Sequence, residues 1–266
     1  MSNLQLRVIS GIVMAGVFLT AAFLGGWIFA ALMALVSLVI WSEWTQIAVG
    51  EGDDRTNLIG LISIVFMFGC LVFLTDTTQI IALLVVFAVS AGTMLSWSGG
   101  ASAVKGIFYA GGFLVSMTLL RNGAVDQSGI FALLFLCASV WATDIGAYFA
   151  GRAIGGPKLA PAISPNKTIS GAVGGVISAM IGAGLVTMVF GVKNLTIYLL
   201  LAAFLSVISQ AGDLYESWIK RRAGVKDSGS IIPGHGGAMD RVDGLVFAAI
   251  SLWMITWFCG MLFSAN

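Results

Sequence analysis

A chain of 266 residues with 59% hydrophobic side chains, only 9% charged ones and a mean hydropathy of +1.01 is excluded from the soluble globular class. A formal net charge of +1 shows no polybasic or polyacidic character of the kind that points to nucleic acid. This is the composition of an all-α, polytopic integral membrane protein, and its 34 glycines suit close helix packing in lipid.

A hydrocarbon core roughly 30 Å thick takes about 20 apolar residues per helix. That window predicts a bundle of about nine transmembrane helices, near 8–24, 27–49, 58–75, 78–97, 103–120, 129–150, 168–190, 194–213 and 242–262. Only Gly25 and Gly26 separate the first two. Arg7 followed by the apolar run to Leu24 imitates a secretory signal, but a second apolar segment begins at once, so a retained first helix is expected. Glu43, between Trp41 and Trp44 near the end of the second helix, reads as interfacial, with the tryptophans in the aromatic belt. Cys70, Cys137 and Cys259 lie in apolar segments without CxxC spacing and read as small core residues. Two stretches are too polar for lipid, 151–167 and 214–241. Residues 1–125 then supply N-terminal membrane helices, and 126–266 a C-terminal catalytic region carrying both loops.

Charge orients the bundle. With nine spans, Arg7, Arg55, Lys105, Arg152, Lys158, Lys167, Lys220, Arg221, Arg222, Lys226 and Arg241 share one side, 11 of the 13 basic residues, and Arg121 and Lys193 take the other. Cytoplasmic loops carry the excess of Lys and Arg. The N-terminus and both polar loops are therefore expected in the cytoplasm, and the C-terminus outside.

Ionisable residues within apolar helices are costly, so each one is a candidate for function. Asp144, Tyr148 and Arg152 fall at i, i+4 and i+8 on one face of the sixth helix. Asp144 is expected to be buried there and to need a partner: Arg152, a loop lysine or a cation. The loop that follows holds three of the four prolines, which stiffen it. Ser164, Lys167 and Thr168 read as a compact set of phosphate donors at a helix mouth, where the dipole favours anions. Gly171-x-x-x-Gly175 reads as packing. Asp213 closes the apolar part of the eighth helix, and Glu216, Ser217 and Lys220 continue its face in a helix extended past the bilayer. Glu216 and Lys220 fit equally well as a plain i,i+4 pair.

The segment from Ser217 to Asp243 collects five of the 13 Lys/Arg, three of the 12 Asp/Glu and the only histidine. Lys220, Arg221, Arg222 and Lys226 can neutralise a triphosphate, or anchor against anionic headgroups. Ile232-Pro-Gly-His-Gly-Gly offers backbone N–H groups at Gly236 and Gly237 that can approach a phosphate closely. His235 fits a base, a phosphate donor or a plain loop residue. Asp240 and Asp243 flank Arg241 at the start of the last helix. Dipole capping accounts for one acid, and the pair suits Mg²⁺, which takes carboxylate oxygens together with substrate phosphates.

The spacing Ser217-Trp-Ile-Lys-Arg-x4-Lys226-Asp227-x-Gly229-x2-Ile232-Pro233-x-His235-Gly236-Gly237-x2-Asp240-Arg241-Val242-Asp243 resembles the signature of the phosphatidate cytidylyltransferases, or CDP-diacylglycerol synthases. Gly212-Asp213-Leu214 and Ser164-Pro165-x-Lys167-Thr168 are also similar, so the likeness runs from Asp144 to Gly244, and the first half matches in hydropathy alone. Ala238 stands where a bulkier apolar residue is usual, and Ser170 where many members carry Glu.

The resemblance implies a membrane enzyme of phospholipid biosynthesis that joins CTP and phosphatidic acid into CDP-diacylglycerol and pyrophosphate with Mg²⁺. Asp213, Asp240 and Asp243 then hold the metal, while Lys220, Arg221, Lys226 and the glycine loop hold the triphosphate. Lys167, Ser164 and Arg241 take the lipid phosphate or the leaving pyrophosphate. Asp227 and His235 complete the catalytic set, and Asp144, Tyr148, Arg152, Thr168 and Ser217 the substrate-binding one. A second, monovalent cation and a homodimer are further expectations. A CTP-dependent lipid kinase, a secondary transporter and a non-catalytic scaffold are the rival readings.

Overall fold

A computed structural model describes residues 3–49, 54–96, 100–122, 128–231 and 236–259. Among these residues the fold is all-α apart from one short hairpin. The helices are α1 (Asn3–Leu24), α2 (Gly26–Trp44), α3 (Asp54–Phe73), α4 (Asp76–Ser96), α5 (Gly100–Asn122), α6 (Ser128–Ile154), α7 (Ile169–Val189), α8 (Leu195–Arg222) and α9 (Met239–Cys259). A π-helical turn, Thr45–Val49, prolongs α2, and strands β1 (Lys158–Ala160) and β2 (Ser164–Thr168) form the hairpin. Eight of the described helices are long and apolar enough to cross a membrane, and the apolar stretch of α1, Val8–Leu24, is shorter. The chain divides into two compact units, Met1–Asn122 with Arg222–Val242, and Gly123–Arg221 with Asp243–Asn266.

In the first unit α2 is the hub. Phe29, Met33, Ile40, Trp41 and Trp44 are all fully buried. The Trp41 indole N–H donates to the Asn57 carbonyl at 3.0 Å and that of Trp44 to the Ser102 carbonyl at 2.9 Å. Glycine makes room for both rings: a Cβ at Gly60 would lie 2.0 Å from Trp41, and one at Gly106 2.3 Å from Trp44. The expected aromatic belt is thus corrected. A tryptophan with its N–H satisfied buries a large apolar area, and these two fasten the C-terminal end of α2 to the starts of α3 and α5. At the other end, the Arg121 guanidinium donates to the carbonyls of Ala22 and Phe23, and the Asn122 amide bonds both the N–H and the C=O of Gly26 at 2.9 Å. The α1–α2 turn there uses Gly25 and Gly26 at φ of 64° and 56°, a left-handed conformation that glycine adopts without a Cβ penalty.

In the second unit α6 and α7 pack through small residues. A Cβ at Gly174 would lie 2.2 Å from that of Ala150, and one at Gly175 would lie 3.0 Å from the Thr143 carbonyl. Gly171 meets the Ala147 carbonyl in the same way, so the Gly-x-x-x-Gly pattern is a packing device. Val173, Ile177, Ile181 and Leu185, four apart, remain exposed as an apolar stripe of the kind that faces lipid. Polar stitches join α8 to its neighbours: Thr143 Oγ1 donates to Ser206 Oγ at 2.8 Å, and Gln210 Nε2 to the Ala172 carbonyl at 3.3 Å. Gly212 and Gly244 let α8 and α9 approach, facing the Asp243 and Ser209 carbonyls respectively.

The helix extension expected past Asp213 is present, and the 151–167 stretch is more ordered than a loop. α8 runs on to Arg222, and α6 to Ile154. The 151–167 segment folds as an antiparallel hairpin pairing Lys158 with Thr168 and Ala160 with Ser164.

Candidate functional site

Acid chemistry concentrates in the second unit. β2 ends and α7 begins at Thr168, whose Oγ1 accepts the Gly171 N–H at 3.1 Å as an N-cap. Lys167 Nζ forms an ion pair with Asp213 Oδ2, the two side chains being 28% and 27% exposed. Ser217, one turn later on α8, donates to Asp213 Oδ1 at 3.4 Å. Asp144 on α6 and Asp243 on α9 both lie within electrostatic range of Asp213 and Lys167. Three carboxylates from three helices thus gather around Lys167, a net negative set that a cation would balance.

The structure corrects one expectation here: Asp144 is exposed, not buried, and it lies within range of Asp213 and Lys167. Arg152 donates to the Tyr148 hydroxyl at 2.8 Å, which uses the shared face as an exposed pair of its own. Of the donor set expected at the helix mouth, Ser164, Lys167 and Thr168, Thr168 is buried as the N-cap of α7 and Lys167 is paired with Asp213.

In the first unit the described ends of the glycine segment are tied to one another. Asp240 Oδ2 accepts the N–H groups of Ser228 at 2.9 Å and Gly237 at 3.0 Å. Gly236 sits at φ 83°, where a Cβ would come within 2.9 Å of the same carboxylate oxygen. Sequence reasoning missed the second anchor. Glu43, only 2% exposed, accepts the Ser228 hydroxyl at 3.0 Å, the Ala238 N–H at 2.9 Å and the Met239 N–H at 2.8 Å. It is not interfacial. A carboxylate in an apolar helix signals a buried partner, and the two flanking tryptophans disguised that signal.

The basic residues divide. Lys220 is buried and pairs with Glu216 at 3.2 Å, while Arg221 Nε donates to the Ile163 carbonyl at the hairpin turn at 3.4 Å. Arg222, Lys226, Asp227 and Arg241 are exposed. Ile232, Pro233, Gly234 and His235 lie outside the described residues, so the expected role of His235 has no structural counterpart here. Among the described residues, no three carboxylate, imidazole or thiol side chains stand at metal-binding geometry. Mg²⁺ does not require that, since one or two carboxylates plus substrate phosphates complete its shell.

A family model described as the cytidylyltransferase family matches residues 5–259. The phosphatidate cytidylyltransferase of Brucella suis biovar 1 (strain 1330) is 41% identical over 255 residues, 96% of this chain and 93% of its own. That of Staphylococcus haemolyticus (strain JCSC1435) is 35% identical over 255 residues, covering 92% and 95%. That of Bacillus subtilis (strain 168) is 46% identical over 137 residues, about half of each chain. The likeness therefore extends through the first half, beyond the stretch marked by the motif.

Proposed function

This chain belongs to the cytidylyltransferase family, and we propose that it is a nucleotidyltransferase that condenses CTP with phosphatidic acid to give CDP-diacylglycerol and pyrophosphate. The match over residues 5–259 carries this reading. A phosphate oxygen of phosphatidate attacks the α-phosphorus of CTP. A new P–O–P linkage forms, the bond between the α-phosphorus and its bridging oxygen breaks, and pyrophosphate leaves with that electron pair. Phosphatidate already carries an anionic oxygen, so catalysis rests on positioning and charge neutralisation.

Roles follow from the two clusters. The loop ends held by Glu43 and Asp240 set the exposed cations Arg222, Lys226 and Arg241 beside the triphosphate, while the Gly237 N–H expected to bind phosphate is donated to Asp240 instead. In the second unit, the excess of carboxylate over Lys167 fits a hard cation, and we assign Mg²⁺ to Asp213 and Asp243, with Asp144 beside them. An ion held by these acids would supply charge neutralisation to the leaving group. Asp240 keeps a metal role as an alternative, since a carboxylate accepts at about four lone-pair positions and its loop bonds use two. Lys167 holds Asp213 in place and takes a phosphate of the lipid or the leaving group. Ser164, paired with Ala160 in the hairpin, is kept with Lys167 as a partner for the lipid or leaving-group phosphate.

We place the protein in the cytoplasmic membrane, N-terminus and polar loops inside, C-terminus outside. Within the first unit, Arg55 and Lys105 sit at the same end as the C-terminus of α2 and the motif loop, and Arg121 sits at the opposite end, which supports the charge rule. A C-terminal reporter active only in the cytoplasm should stay silent.

The direct test uses the purified full chain in detergent with CTP, Mg²⁺ and phosphatidic acid. Pyrophosphate and CDP-diacylglycerol should appear in equal amounts, and a chelator should stop both. Release of CDP would mean a lipid kinase instead, and no turnover of CTP would overturn the assignment.

A further inference from the structure

We infer that Glu43 is a positioning residue for nucleotide binding: from the end of α2 it holds together Ser228 and the Ala238–Met239 start of α9, the described ends of the glycine segment that receives the CTP triphosphate. The inference rests on the function proposed above and concerns a residue in the half of the chain outside the motif.

The geometry is specific. The three donors described above, the Ser228 hydroxyl and the N–H groups of Ala238 and Met239, converge on the two oxygens of one buried carboxylate. An ionised carboxylate only accepts hydrogen bonds, so the three donors match its charge, and charge-assisted bonds of this kind are the strong ones. Two of the donors are backbone N–H groups at the start of α9, which have no partner inside their own helix and carry its positive dipole end. Glu43 therefore caps α9 from another helix while it pins Ser228 at the far side of the loop. Asp240 ties the same two ends together, through Ser228 and Gly237.

The neighbours leave the carboxylate no slack. A Cβ at Gly229 would lie 2.8 Å from Glu43 Oε1, and one at Gly237 would lie 2.0 Å from Ser228 Oγ and 2.6 Å from Glu43 Oε2. Glu43 itself is held between Trp41 and Trp44, whose indole N–H groups are bonded to Asn57 and Ser102. The carboxylate thus transmits the rigidity of the α2–α3–α5 core to a loop that carries three described glycines, Gly229, Gly236 and Gly237. Ends held together leave the segment between them fewer conformations to lose when a ligand binds.

Glu43→Gln tests this with little change in shape. An amide keeps one acceptor and turns an NH₂ group toward N–H or O–H donors, so the loop loses bonds and gains a repulsion. Kinetics on the full-length protein in detergent should show KM for CTP rising about tenfold, with KM for phosphatidic acid within twofold of wild type. Ser228→Ala keeps the two backbone bonds to Glu43 and should raise KM for CTP about threefold. The double variant should fall short of the product of the two, because both act through one contact. Met67→Ala, a buried residue of the same unit remote from the loop, should lower thermal stability and leave both KM values unchanged. If Glu43→Gln does not fold, the Ser228→Ala shift alone carries the test. A wild-type enzyme that turns over CTP while Glu43→Gln and Ser228→Ala keep the normal KM for CTP would overturn this inference. A wild-type enzyme without cytidylyl transfer would overturn the proposed function instead.

Discussion

In the first unit the carboxylates of Glu43 and Asp240 are engaged by hydroxyl and N–H donors of one loop, whereas in the second Asp144, Asp213 and Asp243 gather around Lys167. One set is buried at Glu43 and shaped by backbone. The other comes from three helices and stays accessible at Asp144 and Asp213. Acids whose lone pairs are taken by the protein organise structure, and acids left in excess are the ones a ligand cation can use. The same residue type thus does two jobs, and its partners tell them apart.

The largest effect expected from this contrast is at Asp213. Asp213→Asn keeps the shape and removes the charge, so turnover should fall at least about a hundredfold, the scale of losing one group that stabilises transition-state charge, while the protein still inserts and folds. Retention of near-normal turnover would return Asp213 to a structural ion pair. Lys167→Ala should cost roughly thirtyfold in rate, because it removes both the partner of Asp213 and a phosphate-binding cation. Lys193→Ala, in the α7–α8 connection, should stay within twofold, and equal mild losses at both would make Lys167 a topology signal only.

Glycine substitutions sharpen the contrast from the other side. Gly237→Ala pushes a methyl group into Ser228 and Glu43, so kcat/KM for CTP should drop about tenfold. Gly174→Ala drives a methyl against Ala150 in the α6–α7 seam and should destabilise by about 1–3 kcal/mol, read as a lower melting temperature, with KM values unchanged. The smallest effect belongs to the exposed Tyr148–Arg152 pair, where Tyr148→Phe should change rate by no more than about twofold.

Much of this was legible in the sequence, for physical reasons. Long uncharged runs leave a helix as the only way to satisfy backbone in lipid, so the spans follow from hydropathy, and the extension of α8 past Asp213 follows from its polar face. The i,i+4 geometry likewise made the Glu216–Lys220 and Asp213–Ser217 contacts readable. Contacts across the chain were not. Glu43 meets partners 185 to 196 residues away, which no local window sees, and its tryptophans imitate a membrane interface. The hairpin was hidden by its prolines, which read as stiffening a loop with no sign of strand pairing. Asp144 was expected inside because its helix is apolar, but an apolar helix still has one face turned outward.

Initial rate against free Mg²⁺, at saturating CTP and phosphatidic acid, tests the division of labour most directly in wild type, Asp213→Glu and Glu43→Gln. Asp213→Glu moves a carboxylate by one methylene, so it should need at least about tenfold more Mg²⁺ for half-maximal rate or be inactive throughout. Glu43→Gln, with CTP raised to saturation, should keep the wild-type Mg²⁺ midpoint. A Glu43→Gln midpoint displaced as far as that of Asp213→Glu, or an Asp213→Glu curve that overlays wild type, would contradict the separation of loop-holding from cation-binding acids.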